Sequence, residues 1–232
     1  MSEQNKPAKP SMLANLIFNI IIPTLVLMKL SSEDYLGPVY SIVVALSFPI
    51  GYGIRDYLQT RKTNLFSALG VFSVVMTGGM TLLQLDPEFI AIKEAAIPAI
   101  FGIATLLSTR TKYPLVRTFL FNKQILQIDR VKVALQAHNS ESHFERKLSN
   151  ASVMVAGSFF LSSVLNYVLA KVILVSEPGT VAFTEELGKM TALSFPVIAL
   201  PSTLVLMAVL FYLLHHIQKL TDLKPEDIFN EM

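Results

Sequence analysis

The sequence predicts an all-α, polytopic membrane protein: a six-helix transmembrane bundle with both termini in the cytoplasm. Three observations predict it. Of 232 residues, 52% are hydrophobic and only 16% charged, against about a quarter charged in ordinary soluble domains. The apolar residues gather in blocks close to the ~20 residues that a helix needs to cross a bilayer. Lys and Arg are distributed unevenly over the connections between those blocks, as the positive-inside rule requires.

Residues 1–11 form a polar lead with Lys6, Pro7, Lys9 and Pro10, expected to be disordered and cytoplasmic. The apolar run 12–28 is followed by Lys29-Leu30-Ser31-Ser32-Glu33 and not by a small-x-small cleavage pattern. An uncleaved anchor is therefore expected rather than a signal peptide. The transmembrane domain covers 12–214, with spans at about 12–30, 36–54, 65–85, 89–108, 151–175 and 191–214. Lys93 and Glu94 interrupt the fourth. Without them only 95–108 remains apolar, and a re-entrant segment is the alternative.

Fifteen of the 19 Lys and Arg fall on alternate connections. They are Lys6 and Lys9; Arg55, Arg61 and Lys62; Arg110, Lys112, Arg117, Lys123, Arg130, Lys132, Arg146 and Lys147; and Lys219 and Lys224. Only Lys29, Lys93, Lys171 and Lys189 fall on the other side. This bias puts the termini and the basic loop 109–150 in the cytoplasm, and the turn with Asp86, Glu88 and Lys93 outside.

Within the loop, Ile125, Ile128, Val131 and Leu135 recur at helical spacing. A helix lying on the inner leaflet fits this stripe, and so does one docked on the protein's own cytoplasmic face. Arg110, Lys112, Arg117, Lys123, Arg130 and Lys132 are the candidate contacts for anionic lipid. Ser142-x-x-Glu145 reads as a capping box that starts the fifth helix ahead of the membrane. In the cytoplasmic tail 215–232, Lys224-Pro225-Glu226-Asp227 reads as a short helix with Pro at its first position.

Polar residues inside the spans share faces. Gly70, Ser73, Thr77, Thr81 and Gln84 lie on one arc of the third span, and Ser158, Ser162 and Asn166 on one face of the fifth. Asn15, Asn19, Thr77, Thr81, Glu94 and Asn166 are the candidate interior polar or ligand contacts, because amides and carboxylates are costly in lipid. Ser, Thr and Gly are also the ordinary packing residues of membrane helices. Lys93 and Glu94 are about 100° apart on a helix. The expectation is that they do not pair: Lys93 snorkels outward toward Asp86 and Glu88, and Glu94 points into the bundle.

With no Cys, disulfides, thiolate metal sites and Cys nucleophiles are excluded. The four His, at 138, 143, 215 and 216, have no carboxylate at ligand spacing. No metal site, cofactor, phosphate loop or nucleophile elbow is expected. The basic loop lacks the interleaved aromatics of a nucleic-acid surface, so no nucleic-acid partner is expected.

The run Gly78-Gly79-Met80-Thr81-Leu82, then Asp86, Glu88-Phe89-Ile90 and Lys93, resembles the signature of the intracellular septation protein A family of bacterial inner-membrane proteins. The likeness continues through Lys112, Pro114-Leu115 and Arg117, and more faintly at Leu148, 166–170 and 188–193. The resemblance implies a multi-pass protein of the bacterial inner membrane. It implies support of envelope maintenance or division through contacts with other envelope membrane proteins, and no known enzymatic activity. Membrane lipids, anionic at the inner leaflet, and a second copy in a homodimer are further candidate partners. The insert 126–145, the lead and the long tail depart from the family pattern. The alternative is a small secondary transporter or lipid carrier, with a polar cavity between two three-helix halves. Its motives are Pro23, Pro49, Pro98, Pro196 and Pro201 within spans, and a three-plus-three topology.

Overall fold

The computed structural model describes residues 13, 16–60, 65–111, 114–119 and 126–229. The lead 1–11, Asn15, Arg61, Lys62, Lys112, Lys123 and Ile125, singled out above, lie outside them. The described residues are helical apart from turns and one isolated β-bridge. α1 is Ile17–Lys29, opening with a π-helical turn at Ile17–Ile21. α2 is Gly37–Thr60, α3 Leu65–Leu82, α4 Pro87–Ser108, α5 Leu115–Phe119, α6 Ile128–Ala137 and α7 Glu141–Ile173. α8 is Val181–Thr221, with a second π-helical turn at Phe195–Ala199, and α9 is Pro225–Ile228.

Four of these helices are long and apolar enough to cross a membrane: Gly37–Leu58, Pro87–Ser108, Glu141–Ile173 and Val181–Thr221. The chain thus has the character of a multi-pass membrane protein. Two shorter apolar helices, Ile17–Lys29 and Leu69–Leu82, coincide with the first and third expected spans. The charges at Lys93 and Glu94 do not break the fourth: α4 runs through them without interruption.

Boundaries follow local chemistry. Asp86 caps α4 by accepting a hydrogen bond from the Glu88 amide at 2.8 Å, and Pro87 takes the first helical position, where no amide is needed. Thr180 caps α8, its hydroxyl accepting from the Phe183 amide at 3.1 Å. That cap starts α8 ten residues ahead of the expected 191. α7 starts at Glu141, so Ser142 lies within its first turn and the expected capping box does not form the boundary. Glu145 instead pairs with Arg117. Pro23 and Pro201 each follow a π-helical turn. A proline leaves the preceding turn one amide short, and a wider turn absorbs the deficit.

The chain divides into two compact units. The first comprises Met1–Glu94 and Asn166–Val197, the second Ala95–Leu165 and Ile198–Met232. In the first, α1 lies between α2 and the opening half of α8. The approach is close because Gly188 stands where a Cβ would fall 2.7 Å from Met28 Cγ and 3.3 Å from the Thr24 carbonyl oxygen. Gly78 of α3 gives Leu46 of α2 its place in the same way.

The second unit holds an apolar core. Leu126, Ile128, Val131 and Leu135 are buried with Phe144, Leu148, Val209, Leu213, Ile217 and Ile228. The α6 stripe therefore faces protein. Of the two placements the sequence allowed, the docked helix is the one observed, and the inner-leaflet placement of that stripe is not. Ser158 and Ser162 of α7 meet α8 at Ser202, with Ser162 Oγ 2.6 Å from Ser202 Oγ. Those hydroxyls serve helix packing.

Candidate functional site: the Lys93 clasp

Lys93 lies six residues into α4, about 9 Å along its axis from Pro87. It is 7% exposed. Its ammonium does not turn outward to Asp86 and Glu88. It reaches α3, where Nζ donates to Ser73 Oγ at 2.9 Å, Thr77 Oγ1 at 2.5 Å and the Ser73 carbonyl oxygen at 3.3 Å. A fourth acceptor is Glu94 Oε1 at 2.6 Å. The expectation that adjacent Lys93 and Glu94 do not pair is thus overturned. Their Cα–Cβ bonds do diverge, but four methylenes on one side and two on the other let the charged ends meet beside α3.

Three ammonium protons face four oxygens, so the cation is fully matched. Thr77 completes the set, donating to the Ser73 carbonyl at 3.0 Å and lying 3.5 Å from Glu94 Oε1. Thr81, one turn further, is buried and returns its proton to the Thr77 carbonyl at 2.8 Å. Ser73 and Thr77 are one turn apart because an i, i+4 pair shares a helix face. The carboxylate of Glu94 is 23% exposed, so the pair has one sealed end and one open end. Chemically it is a desolvated, charge-assisted tie between two helices. Such a tie is costly to break, because either partner alone is left as an unmatched charge.

A second charged group stands at the start of α4. Glu88 accepts from Tyr167 Oη at 2.6 Å and pairs with Lys171, both on α7. Asp86 is exposed. Nearby, Glu186 of α8 binds the Val175 and Ser176 amides, each at 3.0 Å, and the Ser176 hydroxyl at 2.7 Å. These contacts hold the α7–α8 connection. Sequence reading missed this carboxylate because its partners are two backbone amides and one serine hydroxyl ten residues away, which leave no mark in composition.

The other candidates are dispersed. Asn19 is half-buried in the π-helical turn of α1, and Asn166 half-buried on α7. Of the basic residues assigned to lipid, Arg117 pairs with Glu145, and Arg130 with Asp227 at 2.9 Å. Arg110 and Lys132 are exposed. Among the described residues no group of three or more His, Asp or Glu is placed to hold a metal ion.

Compared with known proteins, the chain matches no family model, no curated protein and no solved structure.

Proposed function

We propose that the chain is a bacterial inner-membrane protein with six spans and cytoplasmic termini. It supports envelope maintenance or division through protein and lipid contacts, as septation protein A does, and catalyses no reaction. The observation that carries this reading is the state of Lys93. Its protons are all taken by oxygens of α3 and α4, so this charge pair, sealed at its Lys93 end, joins helices and offers no free donor to a substrate.

The string behind the family resemblance has the same character. Gly78 admits α2, Asp86 caps α4, Glu88 ties α4 to α7, Ile90 is buried, and Lys93 holds α3. These positions cap or pack the α3–α4 hairpin, or hold it to α2 and α7. Exposed Arg110 and Lys132 remain for anionic lipid headgroups, each contributing up to ~1 kcal/mol near the surface. The test is cellular. A strain lacking the gene should show altered cell length and septum spacing, restored by the parent chain, and a fluorescent fusion should enrich at septa. Unchanged spacing with a uniform fusion contradicts the reading.

One observation favours transport instead. In α1, buried Thr24 has a hydroxyl with no hydrogen-bond partner, directly after Pro23 and the π-helical turn. Interrupted helices with exposed backbone oxygens and hydroxyls form ion sites in secondary transporters. Labelling of a Cys at position 19 by an impermeant reagent from each side of the membrane in turn would move the decision to transport.

A further inference from the structure

Three helices run from one compact unit into the other. α4 passes over between Glu94 and Ala95, α7 between Leu165 and Asn166, and α8 between Val197 and Ile198. The α4 and α7 passages lie at matching depths of their helices. Glu94 comes seven residues after Pro87, where α4 starts, and Asn166 seven residues before Ile173, where α7 ends. Each is about 10 Å along its axis from that end, and Glu88 joins the two stretches through Tyr167 and Lys171.

All three passages adjoin a feature that weakens a helix. Pro98 denies the Glu94 carbonyl its helical amide. α8 passes over inside its π-helical turn, Phe195–Ala199, which contains Pro196 and precedes Pro201. α7 passes over just after the pair Ser162-Ser163, whose hydroxyls reach other helices. Ser162 Oγ lies 2.6 Å from Ser202 Oγ of α8, and Ser163 donates to the Ala95 carbonyl of α4 at 2.8 Å. Prolines, serine pairs and π-helical turns are the recurrent causes of sharp helix bends.

The grip on α4 also changes hands here. Within the first unit, Lys93 holds α4 to α3 through Ser73 Oγ at 2.9 Å. Two residues on, within the second unit, the Ala95 carbonyl is held by Ser163 of α7. One helix is thus fastened to a different body on each side of a single peptide bond, with Pro98 next in line. Domain closure uses this arrangement: packed bodies on either side of a few positions that absorb the backbone change.

We propose that the α4, α7 and α8 passages form a hinge, about which the two units turn as rigid bodies, with the Lys93 clasp fixing where α4 bends. The proposal is independent of the septation reading, since it concerns only how the chain moves.

The chain has no Cys, so pairs of spin labels can be placed at exposed positions of the full chain in lipid nanodiscs, and their distance distributions measured by pulsed electron paramagnetic resonance. Leu58→Cys/Val175→Cys lies within the first unit, Val133→Cys/Val164→Cys within the second, and Val133→Cys/Val175→Cys spans both. The two pairs within units should each give one narrow peak, and the spanning pair a distribution about twice as broad or split in two. Pro98→Ala with Pro196→Ala restores two helical amides and should narrow the spanning distribution, leaving the other two as they were. Pro49→Ala, in α2 away from the passages, should leave all three unchanged. A spanning distribution in the parent chain as narrow as the other two would overturn the proposal. So would broad distributions within either unit of the parent, a spanning distribution that the paired proline variant fails to narrow, or equal narrowing by Pro49→Ala.

Discussion

The α3–α4 pair and the α6–α9 cluster hold helices together by opposite means. Between α3 and α4 the tie is a buried cation with hydroxyl, carbonyl and carboxylate oxygens around it. Around α6 it is an apolar core with Val131 and Ile228 at zero exposure, and its ion pair lies at the surface. The two kinds of tie draw on different physics. Apolar side chains gain nothing by leaving lipid for protein, so membrane helices associate through close packing at small residues and through polar groups. A segment in water gains ~25 cal/mol for each Å² of apolar surface it buries. The same chain therefore ties α3 to α4 through a buried charge and packs α6 through apolar burial.

This contrast can be broken by mutation. Lys93→Met should be the most damaging change, lowering stability in detergent by about 4 kcal/mol, because Glu94 loses its counter-charge and Ser73 and Thr77 lose their donor. Leu135→Ala should cost about 3 kcal/mol through the cavity it leaves in the α6 core. Unlike Lys93→Met, it should be insensitive to whether the span region is in lipid or detergent. Gly188→Ala should cost about 2 kcal/mol, since its Cβ meets the Thr24 carbonyl as well as side chains. Gly78→Ala should cost about 1 kcal/mol, because the atom it meets first is the flexible end of Leu46. Arg130→Ala should cost least, about 0.5 kcal/mol, and that difference should vanish in high salt. Chemical or thermal unfolding of the purified chain reads all five.

The helices were legible in the sequence wherever apolar blocks met capping chemistry. Lys224-Pro225 marks a helix start that the structure places as expected, and Asp86-Pro87 opens α4 two residues ahead of the expected 89. The start of α8 was missed because Glu185, Glu186 and Lys189 interrupt its apolar pattern, although Thr180 carried the cap signal. The α6 stripe was legible, but its partner was not. An amphipathic helix has the same pattern whether its apolar face meets lipid or protein. At the site, the arc of Ser73, Thr77 and Thr81 was legible from helical periodicity. The pairing of Lys93 with Glu94 was not, because angular separation on the helix constrains Cβ atoms and says little about the ends of long side chains.

The claim that Lys93 and Glu94 act as one unit is tested most directly by a double-mutant cycle. Unfolding free energies in detergent would be compared for the parent, Lys93→Met, Glu94→Leu and the double variant, with Glu94→Gln as a polar control. Removing one charge strands the other, so the double variant should be at least as stable as either single variant, with a coupling no smaller than the ~4 kcal/mol cost of Lys93→Met. Glu94→Gln, which still accepts a hydrogen bond, should be milder than Glu94→Leu. Costs that simply add, or a Glu94→Leu chain as stable as Glu94→Gln, would contradict the account: Glu94 would then be a solvated helix-end charge, and the tie between α3 and α4 would belong to Lys93, Ser73 and Thr77 alone.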